Sequence, residues 1–365
     1  MAFLLTNFAH GLDAASGSCY GSTNSGRSSD VKRKAAKPDW TPPFSPDRFY
    51  LKRKTKTLVR RYAGNPILTA DDVPYSSHSI FNAAATVYRG RTVLLFRNEN
   101  EAGLSSMGLA WSEDGLHFTV EPKPVMLPGD PSPFQRWEQH GISDPRITRI
   151  GNVYYITYTG YSDLGVHPLL ARTKDFKTFE RIALLSLPDN RNVVLFPEKI
   201  KGQYVRLDRP MSESNRGNNG IWMSTSPDLI HWGHPDYLFG PRCCHWDCLK
   251  VGPGAPPIKT PRGWLEIYHG VRNFSAVHYR LGCVLLDLEN PAKVLGRAIP
   301  YILSPDSPHE RVGDVGNVTF INGAILEKDG QTLRLYYAGA DTCLCLAYAN
   351  LDELVNLCLE NPSTT

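Results

Sequence analysis

Three times in this chain a short apolar run ends in the same turn. Ser112-Glu113-Asp114 is followed four residues after its Asp by Phe118, Thr173-Lys174-Asp175 by Phe179, and Ser226-Pro227-Asp228 by Trp232. Fainter echoes fall at Asp287, within Leu286-Asp287-Leu288-Glu289-Asn290-Pro291, and at Asp352, within Asn350-Leu351-Asp352-Glu353-Leu354. The five aspartates are 61, 53, 59 and 65 residues apart. Between them recur β-branched and aromatic runs: Thr92–Phe96, Val153–Tyr158, Trp264–Tyr268 and Leu333–Tyr337. Most follow a glycine turn, at Arg89-Gly90, Ile150-Gly151, Arg262-Gly263 and Asp329-Gly330. That is strand chemistry at hairpin spacing. Helical spacing of apolar residues is sustained only near Leu351–Leu359. A repeat of roughly 40–60 residues with four strands is a propeller blade. Five such units predict an all-β fold, a five-bladed β-propeller. A β-sandwich with chance S-x-D turns is the competing arrangement.

The repeat texture is continuous, so residues 46–365 read as one catalytic propeller domain. Residues 1–45 differ: Ser/Gly-rich, then basic, then Pro-rich at Lys37-Pro38-Asp39-Trp40-Thr41-Pro42-Pro43. They read as a disordered tail and a Pro-rich lead-in. Residues 1–38 hold +3 of the net charge of +4, with Arg27, Lys32, Arg33, Lys34 and Lys37 against Asp13 and Asp30. A nearly neutral body argues against nucleic acid as a partner. No apolar run approaches the ~18 residues of a membrane helix, so no membrane partner is expected. Cys243, Cys244 and Cys248 surround His245, but adjacent cysteines do not easily aim at one ion. No second C-x-x-C or H-x-x-x-H pair follows at zinc-site distance, so no metal site is read there. Unbridged thiols suit a reducing compartment, and a cytoplasmic location is expected. The start lacks the basic and apolar regions of a secretory signal. It is Ser-rich and acid-poor, as transit segments are, although a disordered tail is the plainer reading. Assembly into a homo-oligomer stays open.

Three groups of polar residues stand beside the apolar runs. Asp144, in Gly141-Ile142-Ser143-Asp144-Pro145-Arg146, has apolar neighbours that tend to raise a carboxyl toward a usable acid; the bland reading is a turn initiator. A basic group comprises Arg191 with Asn192, Arg209, Lys259 and His269. Each alone reads as a solvated surface charge. Beside long apolar runs, however, they need either acidic partners or an anion such as phosphate. A third group, Asn82, Arg97, Glu99 and Asp341, lies near aromatic residues able to stack on sugar rings, or is ordinary turn polarity. The common nucleotide, zinc-protease and nucleophile-elbow motifs are absent.

These segments, in this order, resemble glycoside hydrolase family 130, the β-mannoside phosphorylases and their hydrolytic relatives. The resemblance runs from Asn65-Pro66-Ile67-Leu68 to Asp352. It includes Phe81–Ala84, Leu95-Phe96-Arg97, Gly141–Arg146, Phe196–Ile200, Arg209-Pro210, Gly254–Thr260, Gly263–Leu265, Tyr268-His269-Gly270 and Tyr336–Thr342. It implies the same five-bladed propeller, with Asp144 as the catalytic acid and Asn82, Arg97 and Asp341 as mannose-binding positions. Arg191, Asn192, Arg209 and Lys259 fall on its phosphate-binding positions, with His269 and Tyr279 as further members. The implied reaction is attack of inorganic phosphate, a co-substrate and not a cofactor, on the anomeric carbon of a terminal β-mannose. It yields α-mannose 1-phosphate with inversion, the acid's proton passing through a substrate hydroxyl. One enzymic carboxyl suffices because phosphate is already a nucleophile. A hydrolase of the same fold needs a second carboxylate ~6.5–9.5 Å away to activate water. Ser143 replaces the commoner Glu before Asp144. Arg89–Phe118 resembles the compact β-1,4 branch, so β-1,4-manno-oligosaccharides, or mannose on glucose or N-acetylglucosamine, are the expected substrates. A β-1,2-mannoside phosphorylase, an inverting β-mannosidase and a non-catalytic sugar-binding propeller are the alternatives. Loops at 104–107, 160–167, 215–219 and 241–250 are where acceptor selectivity would reside.

Overall fold

In the computed structural model the described residues are 58–211, 219–273 and 275–361. The tail and Pro-rich lead-in expected at 1–45, and most of the 215–219 loop, lie outside them. Lys56–Thr365 form one compact unit.

The described residues make five antiparallel sheets. Blade 1 is Ser79–Tyr88, Arg91–Glu99, Ser105–Ser112 and Thr119–Val120, from the innermost strand outward. Blade 2 is Ile142–Ile150, Val153–Ser162, Gly165–Thr173 and Glu180–Leu184. Blade 3 is Asn190–Leu195, Tyr204–Pro210, Ile221–Ser226 and Gly233–Phe239. In blade 4 the innermost strand is broken into Lys250–Gly252 and Ile258–Thr260, both paired with Gly263–Asn273, and Val277–Leu286 and Val294–Arg297 complete it. Blade 5 is Thr319–Leu326, Thr332–Gly339 and Cys343–Asn350, and its outermost strand is Val59–Arg61 from the other end of the chain. This is the expected five-bladed propeller.

The repeated turn joins the third strand of a blade to the fourth. Asp114 Oδ1 accepts from the backbone N–H of Leu116 and His117, and Ser112 Oγ from that of Gly115. Thr173 and Asp175 do the same for Phe176, Lys177 and Thr178, and Ser226 and Asp228 for Leu229, Ile230 and His231. Asp287 keeps half of the device, accepting from Glu289 and Asn290. The echo at Asp352 is a different structure: Asn350 caps the helix Leu351–Leu359 through the Glu353 N–H. Blade 5 needs no such turn, because its fourth strand comes from Val59–Arg61.

The apolar runs are continuous because blades are covered on both faces. Successive side chains of a strand point to opposite sides. Val93 and Leu95 therefore pack with Ile147, Ile156 and Leu169 of blade 2. Leu94 and Phe96 pack with Tyr336, Leu344 and Leu346 of blade 5. Each of these large residues, fully buried, contributes about 1.5–3 kcal/mol. Comparable interfaces join blades 2 and 3, 3 and 4, and 4 and 5.

Candidate active site

The innermost strands are irregular at their middles, and the irregularities hold the polar residues. Pairing with the second strand slips between Phe81 and Ala84, between Ser143 and Arg146, and between Arg191 and Val194. At these slips Asn82, Asp144 and Asn192 take left-handed conformations, with φ of 50°, 55° and 61°. Asn and Asp are the side-chain-bearing residues that tolerate this region best. Each bulge re-aims one polar side chain toward the central cavity, as bulges beside active sites commonly do. The cavity, about 130 Å³, draws lining residues from all five blades.

One end carries the carboxylates. Asn82 Nδ2 donates to Asp144 Oδ1 at 2.8 Å, and Arg97 Nη1 stands 3.8 Å from the same oxygen. Asn82 Oδ1 is buried without a hydrogen-bond partner, an acceptor aimed where a sugar hydroxyl would sit. Arg97 lies over the Phe81 ring and is steadied by Glu99 Oε2 at 2.7 Å and Ser105 Oγ at 3.2 Å. Glu99 thus holds Arg97 and is not itself part of the lining. Burial, then the charge of Asp144, pushes the Asp341 carboxyl up to about 7, with Arg97 opposing. The Ser143 hydroxyl donates to Tyr161 Oη at 3.1 Å, leaving the Asp144 side chain in place.

The other end is cationic. Arg191, Asn192 and Arg209 from blade 3 meet Lys250, His269 and Tyr279 from blade 4. Among the described residues, no carboxylate forms an ion pair with Arg191, Arg209 or Lys250. The Nε atoms of Arg191 and Arg209 are buried without partners. Burial, with Arg191 next in weight, lowers the Arg209 guanidinium to about 10. Burial, then Arg209 and Arg191, brings the Lys250 ammonium down to about 7. Burial, then Arg209, Arg146 and Lys250, push His269 well below its ordinary value, and its Nε2 accepts from Arg209 Nη1 at 3.2 Å. Three cations crowded together in a largely enclosed site are costly unless an anion completes them.

Lys259 corrects the expectation drawn from sequence. It lies outside the cavity, half-exposed, with Nζ 2.5 Å from Glu198 Oε1 and the Trp264 ring beneath. The ammonium in the cavity belongs to Lys250, which opens blade 4's innermost strand much as Arg191 and Asn192 open blade 3's. That equivalence of position was the available signal, and it was missed. Tyr161 and Phe320 also line the cavity unanticipated. Among the described residues no cluster of His, Cys, Asp or Glu suits a metal ion. The Cys243–Cys248 stretch is instead a strap into blade 4. Trp246 stacks on Tyr268, and buried Asp247 is clamped by Arg242 and Arg297.

Two carboxyls, Asp144 and Asp341, line one end of the cavity with a cationic cradle at the other, an arrangement in which a carboxyl can protonate a leaving group while an oxyanion attacks. Comparison with known proteins places the chain in one family. A family model described as beta-1,4-mannooligosaccharide phosphorylase, that of glycoside hydrolase family 130, matches residues 49–360. A beta-1,4-mannooligosaccharide phosphorylase of Ruminococcus albus is 35% identical over 308 residues, covering 82% of this chain and 91% of that protein. A beta-1,2-mannobiose phosphorylase of Listeria innocua is 40% identical over 253 residues, covering 69% and 68%. The solved Listeria innocua beta-1,2-mannobiose phosphorylase, in complex with beta-1,2-mannobiose, superposes with a TM-score of 0.75 at 32% identity. It covers 82% of this chain and 99% of that one.

Proposed function

The chain belongs to glycoside hydrolase family 130, and from that premise we propose that it is an inverting β-mannoside phosphorylase. Arg97, Asn82 and Asp341 hold the terminal mannose. Arg191, Asn192, Arg209, Lys250, His269 and Tyr279 hold inorganic phosphate. A phosphate oxygen attacks the anomeric carbon, the glycosidic bond breaks, and the proton supplied by Asp144 leaves on the acceptor hydroxyl. The products are α-mannose 1-phosphate and the shortened acceptor. The observation that carries this reading is the set of three cations, Arg209 buried and Arg191 and Lys250 partly buried, with no carboxylate partner among the described residues. A hydrolase, whose nucleophile is neutral water, has no use for that cradle.

Within that class we favour β-1,4-linked manno-oligosaccharides, or mannose on glucose or N-acetylglucosamine. The family description and the Ruminococcus relative support this. The Listeria relative favours β-1,2-mannobiose as the second reading. Cytoplasmic action goes with the absence of disulfides among the described residues. The test is incubation with β-1,4- and β-1,2-mannobiose, each with and without phosphate. Mannose 1-phosphate formed only with phosphate is expected, and equal free mannose in both tubes would show a hydrolase. Running the reaction in reverse and reading the new linkage by NMR separates the two substrates.

A further inference from the structure

Behind the cavity, Arg146 joins three blades and touches neither proposed ligand. It is buried, with 1% of its surface exposed. Its Nη1 donates to the backbone carbonyl of Asp144 at 2.9 Å. Its Nε donates to the carbonyl of Gly254 at 2.9 Å, and Nη2 to that of Pro253 at 3.4 Å, both in the gap of blade 4's innermost strand. Nη2 also reaches Asn192 Oδ1, at 3.3 Å.

That last bond fixes which way an amide faces. A guanidinium has only donors, so the atom of Asn192 turned toward it must be the oxygen. The NH2 end then faces the cavity side, near Gly252, where it lies 3.1 Å from the place a Cβ would occupy and the His269 ring is also close. Gly254 is gripped from both sides, its carbonyl by Arg146 and its N–H by Glu266 Oε1 at 2.9 Å. Glu266 is wholly buried, and burial drives its carboxyl well above the usual range. From blade 5, Asn322 Nδ2 holds the carbonyl of Pro145 at 3.0 Å, so the segment around the acid is braced twice.

We propose that Arg146 is a positioning residue that ties the acid to the anion site, holding the left-handed backbone of Asp144 and turning the Asn192 amide so that its NH2 donates to phosphate. This rests on the phosphorylase reading. Misplacing reacting groups by an ångström costs roughly a hundredfold in rate.

Arg146→Lys keeps the charge but loses the fork, and should lower kcat roughly tenfold to a hundredfold and raise the phosphate KM, with the mannoside KM little changed. Asn192→Ala should raise the phosphate KM alone. In the double variant the two rises in phosphate KM should not multiply, because without the amide there is nothing left to orient, while the fall in kcat persists. Multiplying rises would overturn the proposal, as would an Arg146→Lys enzyme with wild-type kcat. Should Arg146→Lys not fold, Asn192→Asp decides the matter with Arg146 intact. One carboxylate oxygen keeps the Arg146 bond and the other replaces the donor, so the phosphate KM should exceed that of Asn192→Ala. An Asn192→Asp enzyme no worse than Asn192→Ala sinks the orientation claim. A wild-type enzyme indifferent to phosphate would instead sink the phosphorylase reading on which this rests.

Discussion

Asp144 and Lys250 line one cavity, and the role proposed for each can be tested by a change of a few atoms. Asp144→Asn keeps size and the contact with Asn82 but removes the proton. It should cost on the order of 10²–10⁴ in kcat while mannoside binding, measured by calorimetry, survives. A variant within about threefold of wild type would show the acid to be another group. Lys250 loses its charge as pH rises through about 7, because burial and two arginines favour the neutral amine. The phosphate KM should therefore climb above that pH, by at most about tenfold per unit. Lys250→Arg should flatten the climb, since a guanidinium stays charged. Lys259→Ala should leave the phosphate KM unchanged, because that ammonium answers Glu198 at the surface. The contrast between these lysines marks how far the sequence was legible. Both sit beside apolar residues, and Lys259 lies in a stretch matching the family pattern. What separates them is the break at Pro253–Pro257, which turns the chain so that Lys250 faces inward and Lys259 outward. Asn82, Asp144 and Asn192 were legible through the family resemblance of their segments, and the left-handed bulges they occupy suit their residue types.

Among the elements, Val59–Arg61 is held in place by more than its strand pairing. Arg61 forms a two-bonded fork with Glu310, at 2.7 and 2.8 Å, and Glu310 also accepts from Tyr337 Oη at 2.7 Å. Burial pushes the Glu310 carboxyl up. The Arg61 bond and the N–H groups of Asp306 and Ser307 outweigh it and hold the group below its ordinary value. A carboxylate with a lowered folded pKa stabilises above its unfolded pKa, and that stability fades as pH falls through the folded one. Arg61→Met should thus cost about 1–3 kcal/mol at neutral pH, read by chemical denaturation. The cost should shrink below about pH 4 as Glu310 protonates. An equal cost at both pH values would mean that packing of the arginine stem, not the ion pair, is what is lost. The Asp turns are the elements the sequence displayed most openly, because their hydrogen bonds are local and need only Ser, Thr and Asp at fixed offsets. Asp352 shares the composition but not the turn. Whether a fourth strand follows depends on a partner at the far end of the chain, which no local pattern reveals.

For the whole molecule, the cavity is where five blades converge, and its charge is left unbalanced by the protein alone. An anion that binds only the folded state adds about 2.7 kcal/mol of stability at a hundred times its dissociation constant. Phosphate should therefore raise the melting temperature in a concentration-dependent way, and Arg209→Ala should abolish most of the rise. A melting temperature indifferent to phosphate in the wild-type protein would mean that the cradle holds something else. Convergence also explains why the cavity's membership was the least legible part: Tyr161, Lys250 and Phe320 come from three blades and share no motif. The closure of the ring has a consequence in time. Val59 pairs with Ala349, so the strand that seals blade 5 leaves the ribosome well ahead of its partner. At about 5–20 residues per second, it waits roughly a quarter of a minute to a minute before it can dock. During that interval Val59–Arg61 has no strand to pair with, and any blade already formed has no ring to belong to. A nascent chain that lacks blade 5 would therefore have no cavity assembled from all five blades, and activity would arrive only once that last blade has been made.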